Sequence, residues 1–260
     1  MGQLLIQEVG SFWETHPLCA SAIPYDLGTP EYFRYYDRLR EANESIQFSY
    51  WLHEYPAFSG KKVLDVGVGN GYVLSKYAYE GARVFGIDLT EMGIGLSRRR
   101  FERLGLKGHF IRGNAEELPF ESDTFDCVCS MGVLHHTADP AKAVGEIYRV
   151  LKPGGRLIVM VYHRNSVLYR LKFPLMSFVT GKTMQQLVNE VDGVGNPKGS
   201  VFSKNELRRL LIKFKDLDLS ISLLQRWMFF QKAGCLFSDR LLRKFQKYLG
   251  WFLYAKGRRP

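Results

Sequence analysis

One segment constrains the fold of this chain more than any other: a β-rich run leads into Asp65-Val66-Gly67-Val68-Gly69-Asn70-Gly71. Glycines at alternate positions remove the β-carbons that would keep a ligand away from the backbone, and they permit positive φ angles. Free amide groups at the start of a following helix would face the same ligand. In an open parallel sheet, ligands bind beyond the carboxyl ends of the strands. The segment therefore predicts a binding site for a polar ligand at such an edge.

The sequence around this loop fits an open parallel sheet. From about residue 61, short β-rich runs alternate with longer helical stretches, which predicts a doubly wound α/β core. A proline and two glycines in the segment 151–155 end the last helix of this core. The predicted strands span 62–66, 82–87, 108–111, 124–130 and 156–162, and the predicted helices lie near 71–80, 91–105 and 139–151.

Four parts are expected along the chain. Residues 1–58 are rich in aromatic residues and predict a helical segment, which either forms a lid over the ligand or packs plainly against the sheet. The cofactor-binding core spans 59–163. An irregular insertion that caps the substrate follows over 164–202. Residues 203–260 complete the sheet and begin with a helix, because Ser203 is followed three residues later by Glu206, the spacing of a capping box.

The class of ligand follows from the residues next to the loop. A dinucleotide fingerprint needs a small residue at the sixth position from Gly67, where this chain has Tyr72, and no phosphate-binding P-loop sequence occurs. Asp88 stands 17 residues after Gly71 at the end of the next predicted strand. There its carboxylate can accept hydrogen bonds from both hydroxyls of a ribose. Alternatively, Asp88 caps the helix that starts near Glu91.

Together these residues resemble the class I S-adenosylmethionine-dependent methyltransferases. The motifs are most similar to those of the ubiquinone/menaquinone-biosynthesis-like branch, methyltransferase type 11, whose members methylate many small molecules. The resemblance covers about residues 60–163. Residues 63–71 match the glycine loop with its strand, 86–88 the ribose motif and 113–120 the adenine loop. Residues 125–136 match the fourth strand with its two histidines, and 151–155 match the approach to the fifth strand.

The resemblance also implies a fold and a cofactor. The fold is a seven-stranded Rossmann-like sheet with an antiparallel last strand, which residues 251–256 would form. The cofactor is S-adenosyl-L-methionine, and the product is S-adenosyl-L-homocysteine. Asp65 and the backbone of Gly67 and Gly69 would hold the methionine part, and Met131 would offer its carbonyl oxygen to the amino group.

The nucleoside end of the cofactor would lie against a second set of residues. The resemblance implies that Asp88 binds the ribose and that Leu89 flanks the adenine, with Val68 and Ala115 in the same site. The family often has Asp where this chain has Asn114. Because an amide oxygen can still accept a hydrogen bond from the adenine amino group, we expect cofactor binding to be kept.

Catalysis would depend mainly on placement. A sulfonium methyl is already activated, so the protein has to align the acceptor and exclude water, an effect worth up to about 7–11 kcal/mol. A general base adds ~10²–10⁴-fold where the acceptor must lose a proton. His135 and His136 follow the fourth predicted strand, and Tyr162 and His163 end the fifth, so these four are the candidate catalytic residues. A structural role for the two adjacent histidines is the alternative, because the family resemblance makes that pair common whatever the substrate.

The sequence predicts neither a metal site nor disulfide bonds. Cys19, Cys127, Cys129 and Cys235 include no C-x-x-C pair, and the middle two alternate within an apolar run. We expect buried, reduced thiols. No spacing of cysteines, histidines and carboxylates predicts a metal centre.

The positive charge of the chain is regional. The net charge is +10, yet residues 1–200 contain 22 Lys and Arg and 22 Asp and Glu, whereas 201–260 contain 14 and 4. Within that region, 239–250 predict a basic amphipathic helix, which either rests on an anionic membrane or packs on the core with a solvated cationic face. The basic region would also suit an RNA methyltransferase, but no RNA-binding module is evident, and nucleic acid is not the expected partner.

The sequence therefore predicts an enzyme that methylates a small, hydrophobic acceptor at carbon or oxygen. Because neither a signal sequence nor a spanning helix is evident, we expect a cytoplasmic protein with peripheral membrane contact. A protein that binds the cofactor without catalysis is the third interpretation. The sequence does not predict an oligomeric state.

Overall fold

The fold is built on one sheet. A computed structural model describes residues 2–17, 22–229 and 236–260, and within them seven strands pair in a single sheet. Their spatial order, numbered along the chain, is β3-β2-β1-β4-β5-β7-β6. The strands are β1 (Lys62–Val66), β2 (Arg83–Asp88), β3 (His109–Arg112), β4 (Phe125–Met131), β5 (Leu151–Tyr162), β6 (Lys215–Ser222) and β7 (Phe252–Arg258).

The strand directions confirm the predicted fold class. Strands β1 to β5 are paired in parallel, and β7 runs antiparallel to both β5 and β6. All five predicted core strands are present, and β5 starts at Leu151, earlier than expected. The direction of winding reverses between β1 and β4. The carboxyl ends of these two strands therefore flank the crevice in which open α/β sheets bind ligands.

Helices precede, connect and cover the strands. The turn Arg226–Met228 and the turn Glu190–Asp192 are 3₁₀ helices, and Leu168–Lys172 is a π-helical turn. In the described residues the α-helices are α1 (Gly2–Thr15), α2 (Pro30–Asn43), α3 (Ile46–His53), α4 (Tyr72–Tyr79), α5 (Glu91–Leu104), α6 (Pro140–Val150), α7 (Phe173–Thr180), α8 (Met184–Asn189), α9 (Lys204–Leu210) and α10 (Asp239–Leu249).

The core consists of two layers, one on each face of the sheet. Side chains alternate along a strand and so enter the two layers in turn. Val63 and Cys127 pack on one face with residues of α2 to α5. Leu64 and Val128 pack on the other face with residues of α6 and α9. A parallel sheet covered on both faces holds its strand ends rigidly, so the loops that follow β1, β2 and β4 are fixed in position.

The insertion after β5 differs from its prediction. The sequence favoured an insertion over 164–202 without regular structure, and the irregular conformation is wrong, because the π-helical turn, α7 and α8 occupy much of this segment. Thr183 and Gln186 form a capping box at the start of α8. These helices have eight and six residues, too few to show a helical period in the sequence. The predicted capping box of Ser203 and Glu206 is confirmed at the start of α9.

Two further predictions concern thiols and membrane-spanning segments. Cys127 and Cys129 are buried free thiols without a disulfide bond, as expected. Cys19 and Cys235 lie outside the described residues. Among the helices of the described ranges, none is long and apolar enough to cross a membrane.

Candidate functional site

A deep cleft opens at the carboxyl ends of β1, β2 and β4. It encloses about 1290 Å³ of space outside the protein atoms, part of it open to solvent. The cleft lies at the point where the winding of the sheet reverses, as expected for a ligand site in this fold. All nine residues that the sequence assigned to the cofactor line it: Asp65, Gly67, Val68, Gly69, Asp88, Leu89, Asn114, Ala115 and Met131.

The glycine loop is shaped by hydrogen bonds within the protein. The amides of Gly67 and Val68 both donate to the carbonyl oxygen of Ile87, at 2.8 and 3.0 Å. Gly67 has a φ of 78°, and a β-carbon there would lie 2.1 Å from a methyl of Val133. This position therefore requires glycine. Because an ammonium group only donates hydrogen bonds, a contact from Gly67 to such a ligand group must come from its carbonyl oxygen.

Asp65 places a carboxylate at the floor of the cleft, and one of its oxygens is unused. The residue is buried, and within the described part of the chain its Oδ1 atom has no hydrogen-bond partner. Burial raises the pKa of Asp65 to about 7, partly opposed by a hydrogen bond with the Cys129 thiol and by the charge of Arg40. A buried carboxylate without a partner is unfavourable on its own. It is therefore suited to a cationic group of a ligand.

Asp88 lies at the end of β2 and fixes the loops beside it. Its Oδ2 accepts a hydrogen bond from the Gly69 amide at 2.9 Å, and its Oδ1 accepts from the amide and hydroxyl of Thr90 at 3.0 and 2.7 Å. The helix cap predicted as the alternative role belongs to Thr90 instead, whose hydroxyl accepts from Gly93 at the start of α5. Burial raises the pKa of Asp88, and these hydrogen bonds oppose the shift. A carboxylate has about four acceptor sites, so one remains for a ligand hydroxyl.

The sequence did not indicate Arg40. Tyr32, Tyr36 and Arg40 recur at intervals of four on α2 and line the cleft opposite the glycine loop. Arg40 forms a buried ion pair with Glu44 at 2.8 Å, and Glu44 also accepts a hydrogen bond from Tyr254. The Nε atom of Arg40 is buried and has no hydrogen-bond partner among the residues described. A guanidinium group held in this way can bind a ligand carboxylate.

Helix α1 covers the cleft from outside. Ile6, Val9 and Trp13 contribute apolar lining. The Glu14 carboxylate accepts hydrogen bonds from the amides of Glu91 and Met92, at 2.9 and 3.0 Å. These amides belong to the first turn of α5, where backbone donors are free and a negative charge is favoured. Glu14 therefore attaches α1 to α5, the helix that follows β2.

His136 faces the cleft, but both of its ring nitrogens meet atoms of the insertion. Its Nδ1 donates to the carbonyl oxygen of Lys198 at 2.6 Å, and its Nε2 lies 3.4 Å from Oδ2 of Asp192. The other oxygen of Asp192 accepts a hydrogen bond from the Tyr162 hydroxyl at 2.5 Å. Trp13 of α1 contacts the same imidazole, with ring centroids 5.0 Å apart. His136 thus contacts both the insertion and α1.

The other three catalytic candidates lie away from the cleft lining. His135 is fully buried and stacks near Tyr162, with ring centroids 3.9 Å apart, and burial lowers its pKa well below the usual range. Tyr162 supports Asp192. The Nδ1 atom of His163 donates to the carbonyl oxygen of Gly250, behind the site, and burial lowers its pKa. The geometry therefore brings together His136, Tyr162 and Asp192, and places His135 and His163 in the core.

The sequence comparison agrees with this geometry. Residues 64–159 match the family described as "Methyltransferase domain". The match begins beside Asp65 and includes the whole of β2, β3 and β4. This segment is therefore similar to methyltransferase domains. Within residues 2–17, 22–229 and 236–260, no group of three or more His, Cys, Asp or Glu side chains is placed to hold a metal ion.

Curated relatives of the domain act in quinone biosynthesis. The chain is 34% identical over 120 residues to the ubiquinone biosynthesis O-methyltransferase of Aromatoleum aromaticum, covering 46% of this chain and 51% of that protein. It is 36% identical over 110 residues to the ubiquinone/menaquinone biosynthesis C-methyltransferase UbiE of Klebsiella pneumoniae, covering 40% and 44%. The chain spans about half the length of the curated relatives it matches.

Solved structures share the fold over most of the chain. A SAM-dependent methyltransferase from Methanosarcina mazei has a TM-score of 0.58 at 22% identity, with 80% of this chain and 96% of that one covered. The [4+2]-cyclase SpnF has a TM-score of 0.64 at 20% identity, with 98% and 97% covered. At such identities the likeness shows the fold alone, and the pair illustrates that one fold can serve different reactions.

Proposed function

We propose that this protein is an S-adenosyl-L-methionine-dependent methyltransferase that acts on a small, hydrophobic acceptor at carbon or oxygen. One observation carries the proposal: in a chain whose residues 64–159 match a methyltransferase domain, a single cleft is lined by Asp65 and Arg40, each with a buried polar atom that lacks a partner in the described residues, and by the acceptor Asp88. These groups match an ammonium, a carboxylate and a ribose hydroxyl, three of the polar parts of the proposed cofactor.

The residues present fit that cofactor. Asp65 would take the ammonium group, with the carbonyl oxygens of Gly67 and Met131 beside it, and Arg40 would take the carboxylate. At the nucleoside end, Asp88 offers one acceptor site to a ribose hydroxyl, and a second bond requires one of its present donors to move. The Asn114 Oδ1 already accepts from the Glu116 amide at 3.0 Å, and its second lone pair is suited to the adenine amino group.

When bound, the cofactor supplies an activated methyl group for direct displacement. The part of the protein is to place the acceptor and exclude water, and α1 does both when Glu14 holds it across the cleft. His136 lines the cleft and is the candidate proton acceptor for a hydroxyl substrate, a role that requires its Nε2 to exchange the Asp192 carboxylate, 3.4 Å away, for the substrate hydroxyl. Asp192 and the Lys198 carbonyl fix the orientation of its ring, so we propose Asp192 as a positioning residue.

The acceptor class rests on two observations. The lid contributes Ile6, Val9 and Trp13 to the cleft, so the outer part of the site is apolar. Relatives that match the domain are named for ubiquinone and menaquinone biosynthesis, in which one transfers to oxygen and the other to carbon. Both support a hydrophobic acceptor, and neither decides between carbon and oxygen. The proposal places the protein in the cytoplasm.

Methyl transfer from cofactor with a labelled methyl group into a cell lysate tests this function. The lysate is separated into lipid, small-molecule, RNA and protein fractions after incubation with the full chain. The proposal predicts label in the lipid or small-molecule fraction, and none with Asp65→Asn. Label in RNA would support the RNA methyltransferase interpretation suggested by the basic region. Cofactor binding with no labelled fraction would instead support a protein that binds the cofactor without catalysis.

A further inference from the structure

An apolar stripe on α10 is left exposed. Leu241, Phe245 and Tyr248 recur at intervals of four and three, and so lie on one side of the helix. All three are exposed, Tyr248 to 60%, whereas Leu242 packs into the core. A helix attached by one buried residue normally presents polar residues elsewhere. This stripe instead leaves a continuous apolar face toward solvent.

A second stripe of the same kind lies on the insertion. Leu171, Leu175 and Phe178 have the same spacing along the π-helical turn and α7, and Phe178 is 88% exposed. Val179, beside it, is 74% exposed. Single exposed apolar residues are ordinary on protein surfaces, but two helical stripes of large side chains are not.

The turn Arg226–Met228 joins the two stripes. The ammonium group of Lys172 lies 5.3 Å from the ring centroid of Trp227 and donates to the Trp227 carbonyl oxygen at 3.3 Å. The guanidinium group of Arg226 pairs with Asp239, in the first turn of α10, at 2.8 Å. Trp227 is itself exposed. Both stripes therefore begin beside this turn. We call the two stripes together with Trp227 the apolar face.

Positive charge flanks this face. On α10, Arg240, Lys244 and Lys247 lie along one flank of the stripe and Arg243 lies on the side opposite it, and all four are exposed. Across the described ranges these four side chains have no ion-pair partner. The one acidic residue of the helix, Asp239, forms its ion pair with Arg226 instead. They belong to the region of residues 201–260 that holds 14 basic against 4 acidic residues. Basic residues beside exposed aromatic and aliphatic ones are typical of helices that lie in a membrane interface.

We propose that the apolar face docks the protein on an anionic lipid bilayer, with the two stripes in the headgroup region and the basic residues of α10 against lipid phosphates. A second copy of the chain is a poorer occupant, because face-to-face pairing would bring two unpaired basic clusters together. The proposal depends on the surface alone and does not rest on the proposed methyl transfer.

Co-sedimentation with vesicles tests the proposal on the full chain. The probes are vesicles of neutral phosphatidylcholine and vesicles in which about a third of it is replaced by phosphatidylglycerol. We expect binding to the anionic vesicles that weakens with salt. Phe178→Ser with Phe245→Ser should reduce the partition constant at least ~10-fold. Lys244→Gln with Lys247→Gln should reduce it ~25-fold, at about fivefold for each charge near the surface.

Matched controls distinguish binding through this face from nonspecific hydrophobic adsorption and from a nonspecific effect of net charge. Ile212 is 76% exposed outside the apolar face, and Ile212→Ser should leave binding unchanged. Lys61→Gln with Lys107→Gln removes two exposed charges from the core domain and should have less than twofold effect. Equal binding to neutral and anionic vesicles, or an equal loss in the control variants, would overturn the proposal. So would a concentration-dependent dimer that Phe178→Ser with Phe245→Ser dissociates, because the face would then be a contact between copies.

Discussion

Replacing Asp65 by asparagine should stabilise the cofactor-free protein and at the same time prevent cofactor binding. The carboxyl group has its pKa raised by burial from 3.8 to about 7 in the folded chain. Between these values the folded state keeps a proton that the unfolded state has released, so the free energy of unfolding falls as the pH rises. Above the folded pKa the full penalty of a buried, unpaired charge is present.

The magnitude follows from linkage. One pKa unit corresponds to 1.36 kcal/mol, so the whole shift is worth about 4 kcal/mol. Raising the pH from about 5.5 to about 7.5 should remove about 2 kcal/mol of it from the wild-type chain. Asparagine has the same shape and no charge, and Asp65→Asn lacks this loss. The stability of the variant relative to wild type should therefore rise by about 2 kcal/mol over the same interval.

Urea unfolding of both proteins at the two pH values measures this double difference. Other groups that affect stability in the interval are common to both proteins and cancel; an example is His53, whose pKa burial lowers to about 3 in the folded chain, so that it titrates in this interval only when unfolded. Asp218→Asn, which removes an exposed charge, serves as control and should show no such change with pH. A difference between Asp65→Asn and wild type that stays constant within about 0.5 kcal/mol would refute the buried-charge reasoning. Added cofactor should stabilise wild type and leave Asp65→Asn unchanged.

Three further substitutions probe the remaining parts of the site. Asp88→Asn should weaken cofactor binding ~10–100-fold by calorimetry, because a hydrogen bond to a charged group is lost; unchanged affinity would remove the ribose assignment. Asp192→Asn should lower kcat about tenfold or more, with cofactor Kd within about twofold of wild type, if it positions His136 as a base; equal losses in kcat and cofactor affinity would indicate a structural role. Glu14→Gln should speed cofactor release several-fold in stopped-flow displacement, since a neutral amide holds the start of α5 less well; an unchanged rate would show that α1 is not fastened there.

Local sequence patterns were sufficient to predict most of the core. The glycine loop, the acid at the end of the next strand and the helix stop at 151–155, now the first residues of β5, each act over a few residues, so they can be recognised without knowing the fold. The same holds for the capping box at Ser203, confirmed in the structure. Strand β6 was missed although its sequence alternates strictly between polar and apolar residues along much of its length. That signal was available, because alternation is typical of a half-buried strand.

The rest of the site depends on contacts that no local pattern reveals. Arg40 is typical of an exposed helical residue in sequence, and only the approach of Glu44 and Tyr254 shows that it is held in the interior. Asp192 reaches His136 across 56 positions of the chain, through an insertion whose helices are too short to be recognised. His135 was predicted as a catalytic residue because it follows the end of a strand. In the structure its side chain is buried in the core, whereas that of the next residue, His136, lines the cleft.

Titration calorimetry of the full chain with S-adenosyl-L-homocysteine tests the central claim most directly, because it measures occupancy of the cleft without any assumption about the acceptor. We predict binding of one ligand per chain in wild type. Asp65→Asn should abolish it and Asp88→Asn should weaken it, while both variants stay folded by circular dichroism. Absence of binding to folded wild type, or equal affinity in all three proteins, would contradict the assignment of this cleft to the cofactor.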